Sequence, residues 1–192
     1  ENKISELRNQ YSKPILISVG VLRTSKGHKY LIGAYKQLKQ KYTSLSLIII
    51  GDGPEKNNLE REAKDLDQVY FLGRQNHGKI VEYLKVADIF VSSSIDLPQD
   101  REGTPTSIME AMAAGLPVVA TKVGGSPYLI GDGINGFLVN PQSSIELVGA
   151  ITKLIDNQDL ISKMKMQNLE DIKQKDWPVI VQKINELYKS IL

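Results

Sequence analysis

Leu47-Ile48-Ile49-Ile50 is an unbroken apolar run that stops at Gly51, and similar runs recur along the chain with helical patterns between them. A strand with one wet face alternates apolar and polar residues, so a run without alternation needs cover on both faces. The segments that read as strands are Ile15 to Val19, Leu45 to Ile50, Val69 to Leu72, Ile89 to Ser92, Pro117 to Ala120 and Phe137 to Val139. Between them, Tyr30, Leu31, Ala34, Tyr35 and Leu38 share one helical stripe, as do Leu59, Ala63 and Leu66, and again Ile80, Leu84 and Ala87. Right-handed crossovers then predict an α/β fold, a Rossmann-like doubly wound parallel sheet of about six strands with helices on both faces. The last third turns helical. Ser143 and Glu146 have capping-box spacing, with Ile145, Val148, Ile151 and Ile155 at helical spacing around them. Asp176 and Pro178 suit the N-cap and N1 positions of a closing helix from Ile180 to Leu192.

A length of 192 residues is expected to make one domain, 1–192, with a substantial core. With 41% hydrophobic and 24% charged residues, and apolar runs of strand length only, neither disorder nor a membrane span is indicated. A net charge of +2, with Lys and Glu interspersed, carries no nucleic-acid footprint. The absence of cysteine excludes disulfides and thiolate zinc sites. The first residues lack the basic and apolar regions of a signal peptide, so a cytoplasmic location is expected. The chain opens on Glu1 without a Met, and is expected to be a piece of a longer protein.

Ligands of an open parallel sheet bind beyond the carboxyl ends of its strands, so the loops there hold the candidate site. Gly20-Val21-Leu22-Arg23-Thr24-Ser25-Lys26-Gly27 links the first strand to a helix, and offers free backbone N–H groups, a positive dipole end and two cations. That combination suits a diphosphate; solvated cations in a surface turn are the plain alternative. No G-x-G-x-x-G follows this strand. Gly51-Asp52-Gly53-Pro54-Glu55 reads first as turn chemistry, with Pro54 near N1 and Glu55 in the first turn, and second as backbone approaching a ligand. Arg74, after Gly73, is placed either to stack on a nucleotide base or to be an exposed turn residue.

Farther along, Thr104 and Pro105 suit an N-cap and N1, which puts Glu102 and Gly103 in the loop ahead of a helix whose Thr106 and Ser107 offer donors to an anion. Glu110 shares a face with Thr106 in an otherwise apolar helix, Ile108 to Ala114, and is expected to be largely buried. A ribose diol would supply it two donors; a buried ion pair with Arg23 or Lys26 is the alternative. Gly124-Gly125-Ser126-Pro127 places more flexible backbone at the same cleft, unless it is a plain turn. His28 and His77 have no Cys, Asp or Glu at ligand spacing, and read as surface or helix-start residues with no metal site. Ser107 lacks a nucleophile elbow, and Trp177 reads as a packing anchor.

These residues together resemble the retaining nucleotide-sugar glycosyltransferases with two facing Rossmann-like domains (GT-B fold, glycosyl transferases group 1), which include glycogen and sucrose synthases. The likeness runs from about Ile15 to Gly136 and centres on Glu102 to Glu110, an E-x7-E, followed by Ala111-Met112-Ala113-Ala114-Gly115-Leu116-Pro117-Val118-Val119-Ala120-Thr121 and Gly124-Gly125. It implies the C-terminal, donor-binding domain of such an enzyme, with a separate N-terminal domain contacting the acceptor. In that scheme Lys26 contacts the diphosphate, Glu102 and the backbone of Gly103 and Thr104 hold the transferred sugar and phosphate, and Glu110 binds ribose. Gly20, Arg23, Gly53, Arg74, Thr106 and Ser107 complete the donor site, with Arg23, Lys26 and Glu102 as the catalytic set. The family often has Arg directly after the first glycine, where this chain has Val21, and Arg23 is the replacement at hand. Tyr128 stands where Glu is common. Transfer with retention and without a cofactor or required metal is implied, to a sugar, lipid or small-molecule acceptor, with the isolated domain nearly inactive. Attachment to the inner face of a membrane is left open, since the missing domain would meet a lipid acceptor. Two other readings remain: a nicotinamide or flavin dehydrogenase domain, which shares the architecture, and a non-catalytic nucleotide-sugar-binding module.

Overall fold

The protein is described here from a computed structural model covering the backbone of residues 2–191. Six strands run parallel among these residues: β1 (Ile15–Val19), β2 (Ser46–Ile50), β3 (Val69–Phe71), β4 (Ile89–Ser92), β5 (Val118–Thr121) and β6 (Gly136–Val139). Their order across the sheet is β3-β2-β1-β4-β5-β6. The chain therefore reverses its direction of travel between β1 and β4, and the loops leaving those two strands diverge to open a crevice, the usual ligand position in a doubly wound sheet.

The helices are α1 (Asn2–Arg8), α2 (His28–Lys41), α3 (Lys56–Glu62), α4 (His77–Val86), α5 (Thr106–Ala113), α6 (Ser126–Leu129), α7 (Ser144–Ile155), α8 (Gln158–Asp171) and α9 (Trp177–Ile191), with a 3-10 segment at Ile172–Lys175 between the last two. They cover both faces of the sheet, as the strands require. Leu47 and Ile49 belong to one buried cluster with Leu31, Tyr35, Leu38 and Ile151, whereas Ile48 and Ile50 belong to a second with Leu84, Phe90, Ile108 and Met112. Neighbouring side chains of β2 thus enter opposite cores, which is why the run has no alternation. Each such side chain stabilises the fold by about 1.5 to 3 kcal/mol when fully buried.

Local side-chain bonds start several helices. Asn76 accepts from the Lys79 N–H at 2.9 Å, and Asn157 from Leu160 N–H at 2.9 Å, satisfying donors that a helix end leaves free. Ser143 accepts from Glu146 N–H at 3.2 Å, but the return half of the capping box is absent: the Glu146 carboxylate accepts from Asn140 instead.

Elsewhere the structure corrects the sequence reading. α7 buries Leu147, Ala150, Ile151 and Leu154, and leaves Ile145 exposed, because α2 and the sheet meet a face rotated from the expected one. α3 begins after a turn, so Pro54 precedes its N-cap residue Glu55. α5 starts one residue later than expected, with Pro105 at N-cap and no side chain capping it. α9 starts at Trp177, whose N–H is met by Asp176; Pro178 falls one place inside, and Leu192 lies outside the described residues. Trp177 itself is exposed, so it anchors no packing. No helix is long and apolar enough to cross a membrane among the described residues.

Candidate functional site

The β1–α2 loop is fastened at both ends. Leu22 N–H donates to Asp52 O at 2.9 Å and Glu55 N–H to Leu22 O at 2.9 Å, so the glycine turn after β2 serves mainly to seat the loop after β1. A 3-10 turn, Thr24–Lys26, ends at Gly27 in the left-handed region (φ 62°), where an added Cβ would stand 2.0 Å from Ser93 O. Only glycine permits that approach. It delivers Lys26 to the β4–α5 loop, where its ammonium donates to both Glu102 oxygens, at 2.6 and 2.9 Å. The Ser94 hydroxyl donates to the same carboxylate at 2.6 Å. Glu102 keeps 8% of its side-chain surface, so these donors offset most of its desolvation. Arg23 pairs with Asp100 at 3.2 Å, and the Ser25 hydroxyl also donates to Asp100.

The β5–α6 loop closes on the same backbone. Gly125 N–H donates to Gly103 O at 2.8 Å, and Gly124 (φ 52°) lies so near Glu102 O that a Cβ would be 2.4 Å away. Thr106 and Ser107 open α5 beside this loop, and among the described residues no side chain caps that helix end, where N–H groups can meet an anion. Ser107, Lys26, His28, Ser93 and Ser94 line a narrow polar notch. Val19 borders both that notch and a cavity of about 680 Å³ lined by Gly20, Val21, Gly51, Asp52, Gly53, Arg74, Gln75 and Ile80. A small polar notch therefore adjoins a larger, partly apolar cavity.

His28 is the first residue of α2 and, contrary to a surface placement, is buried, with Nδ1 unpartnered. Burial first, and the Lys26 charge second, push its imidazole down to about 4, so it is neutral and adds no charge beside Lys26.

Glu110 departs most from expectation. About a third of its side chain is exposed, and it pairs with neither Arg23 nor Lys26; its Oε1 lies 3.5 Å from His77 Nδ1, at the start of α4. The lysine is taken by Glu102 instead. Sequence reasoning missed Ser94, Asp100 and His77: Asp100 and His77 act on residues of another loop or helix, and Ser94 meets Glu102 only through the fold of the loop they share. Their residue types alone carried no signal.

Residues 1–171 match the pattern of glycosyl transferases group 1. The chain belongs to this family. It is 35% identical over 197 residues to an uncharacterized glycosyltransferase of Haemophilus influenzae, covering 100% of this chain and 51% of the relative. It is 32% identical to the alpha-D-kanosaminyltransferase of Streptomyces kanamyceticus, over 85% of this chain and 43% of that protein. The chain thus spans about half the length of the curated relatives it matches. Among solved structures, it is similar to the C-terminal domain of a glycosyl transferase group 1 family protein (LpcC) from Francisella tularensis, with TM-score 0.77, 28% identity and coverage of 88% of this chain and 89% of that one. It is also similar to Anabaena Alr3699/HepE in complex with UDP, with TM-score 0.84, 29% identity, 98% of this chain and 53% of that one. Membership of the glycosyltransferase family displaces the dehydrogenase reading.

Proposed function

We propose that this glycosyltransferase chain is the donor-binding, C-terminal half of a two-domain enzyme that transfers a sugar from a nucleoside diphosphate with retention of anomeric configuration. The observation that carries the reading is the Lys26–Glu102–Ser94 cluster beside the N-terminus of α5, which has no side-chain cap, at the crevice between β1 and β4. The UDP bound to the Anabaena relative supports a nucleoside diphosphate as the handle.

In this reading the base enters the cavity beside Gly20 and Gly53, where Arg74 stacks on it, and the ribose diol donates to Glu110. The diphosphate lies against Lys26, Arg23 and the N–H groups of Thr106 and Ser107. The bond from the anomeric carbon to the diphosphate oxygen breaks, and its electron pair leaves with the diphosphate. The acceptor hydroxyl bonds to that carbon, on the face the diphosphate left, and its proton passes to the leaving group. Fixed cations and a helix end stabilise the charge that develops, with no metal or other cofactor invoked. When the diphosphate engages Lys26, Glu102 is freed to accept hydrogen bonds from the sugar, with Gly103 and Thr104 backbone alongside. The acceptor, a sugar, lipid or small molecule, is met by the other half, so this half alone binds donor and turns over little.

Calorimetric titration with UDP, GDP and ADP tests the reading. One nucleotide is expected to bind, and Lys26→Ala and Glu110→Ala should each weaken it at least about tenfold. Unchanged affinity in both variants refutes the assignment.

A further inference from the structure

The turn between β3 and α4 is held at both ends. Leu72 N–H donates to Ile49 O at 3.0 Å, and Gly73 O accepts from Gly51 N–H at 2.9 Å, so the turn is fastened to β2 and to the loop after it. At its far end Asn76 caps α4 by accepting the Lys79 N–H. Between these fixed points the Gln75 side chain donates from Nε2 to Leu72 O at 2.6 Å. A carbonyl oxygen only accepts, so the amide nitrogen is the atom that faces Leu72, and Oε1 is left as a pure acceptor. Oε1 has no partner among the described residues, and Gln75 lines the cavity of about 680 Å³.

We propose that Gln75 is a specificity-determining residue of the donor site: its Oε1 accepts a ring N–H of the nucleobase and so selects a base in which that N–H lies beside a carbonyl, as in uracil and guanine. Most of the cavity wall is glycine backbone or the apolar side chains of Val19, Val21, Ile50 and Ile80, which suit the faces of a planar ring and read nothing of its edge. Three polar side chains remain. Arg74 is exposed, and the exposed Asp52 turns a carboxylate oxygen back to its own loop, where it accepts from Gly53 N–H at 2.8 Å. Of the three, Gln75 is the one that is both partly buried and oriented by a bond to a fastened turn. Cytosine and adenine carry a bare ring nitrogen at the matching position, and its lone pair would face those of Oε1. A site that bonds a substrate N–H rejects an analogue lacking it, because the site's own polar group is then left unpaired.

The inference rests on the donor-site reading above, and the experiment separates the two. Calorimetric titrations compare UDP with CDP, and GDP with ADP, in the chain as it stands and in two variants. The unsubstituted chain should bind UDP or GDP at least about tenfold more tightly than the matched amino-base nucleotide. Gln75→Leu should bring that ratio toward one by weakening UDP or GDP, whereas Gln75→Glu, which keeps acceptor oxygens but cannot donate to Leu72 O, should retain the preference. An equal loss for both members of a pair in Gln75→Leu marks a merely structural amide and overturns the inference. So does a ratio unaltered in that variant, a preference lost in Gln75→Glu, or tighter binding of CDP or ADP by the unsubstituted chain. If no nucleotide binds, or Lys26→Ala and Glu110→Ala both leave affinity unchanged, the donor-site reading itself fails and this inference goes with it.

Discussion

His28 offers a test in which the magnitude follows from the structure. The residue is 3% exposed, Nδ1 has no hydrogen-bond partner among the described residues, and burial with the Lys26 charge lowers its pKa from 6.5 to about 4. The unfolded chain therefore binds a proton at 6.5 that the folded protein refuses until about 4. Stability from the neutral ring is complete above 6.5, is lost as pH falls through the window from 6.5 to 4, and levels off below it. At about 1.4 kcal/mol per pKa unit, the full window is worth on the order of 3 kcal/mol. Glu82, Glu146 and Asp156, all with lowered pKa values, also lose stability as pH falls, but they are common to the chain and its variant and cancel in a difference. Urea unfolding of the chain and of His28→Leu, at about pH 7.5 and about pH 4.5, reads that difference; acidification should shift it toward the variant by about 2 to 3 kcal/mol. An equal difference at both pH values refutes the argument that the imidazole is buried neutral.

Two further substitutions probe the scaffold of the site. Gly27→Ala combines a left-handed backbone with a Cβ 2.0 Å from Ser93 O, so a loss of at least about 2 kcal/mol is expected in thermal unfolding, and an unchanged Tm contradicts the close approach. Asn168 is fully buried and donates to Leu116 O and Asn135 O at 2.8 Å each. Asn168→Leu orphans both carbonyls and should cost about 2 to 4 kcal/mol by urea denaturation, whereas a neutral effect means the two bonds are not made.

Much of the architecture was legible before any coordinates. The uninterrupted Leu47 to Ile50 run required a strand covered twice, and the six strand segments fall within a residue or so of the observed ones. Gly27, Glu102 and the helix after it were marked as a loop-and-helix anion site, and the structure brings them to the β1–β4 crevice. These features are legible because period, turn chemistry and strand-end loops are local properties.

What the sequence by itself determined, then, is the doubly wound sheet, the loops at its carboxyl edge and the family those loops signal. Only the tertiary structure decided the partners. Lys26 meets Glu102 while Glu110 meets His77, His28 is sealed in while Trp177 stands in the open, and α7 turns Ile145 outward. The helical period says which residues share a face but not which neighbour covers it, and the order of charges along a chain says nothing of which loop reaches them. Those outcomes depend on how separate loops and helices converge across the sheet, and that is settled by packing.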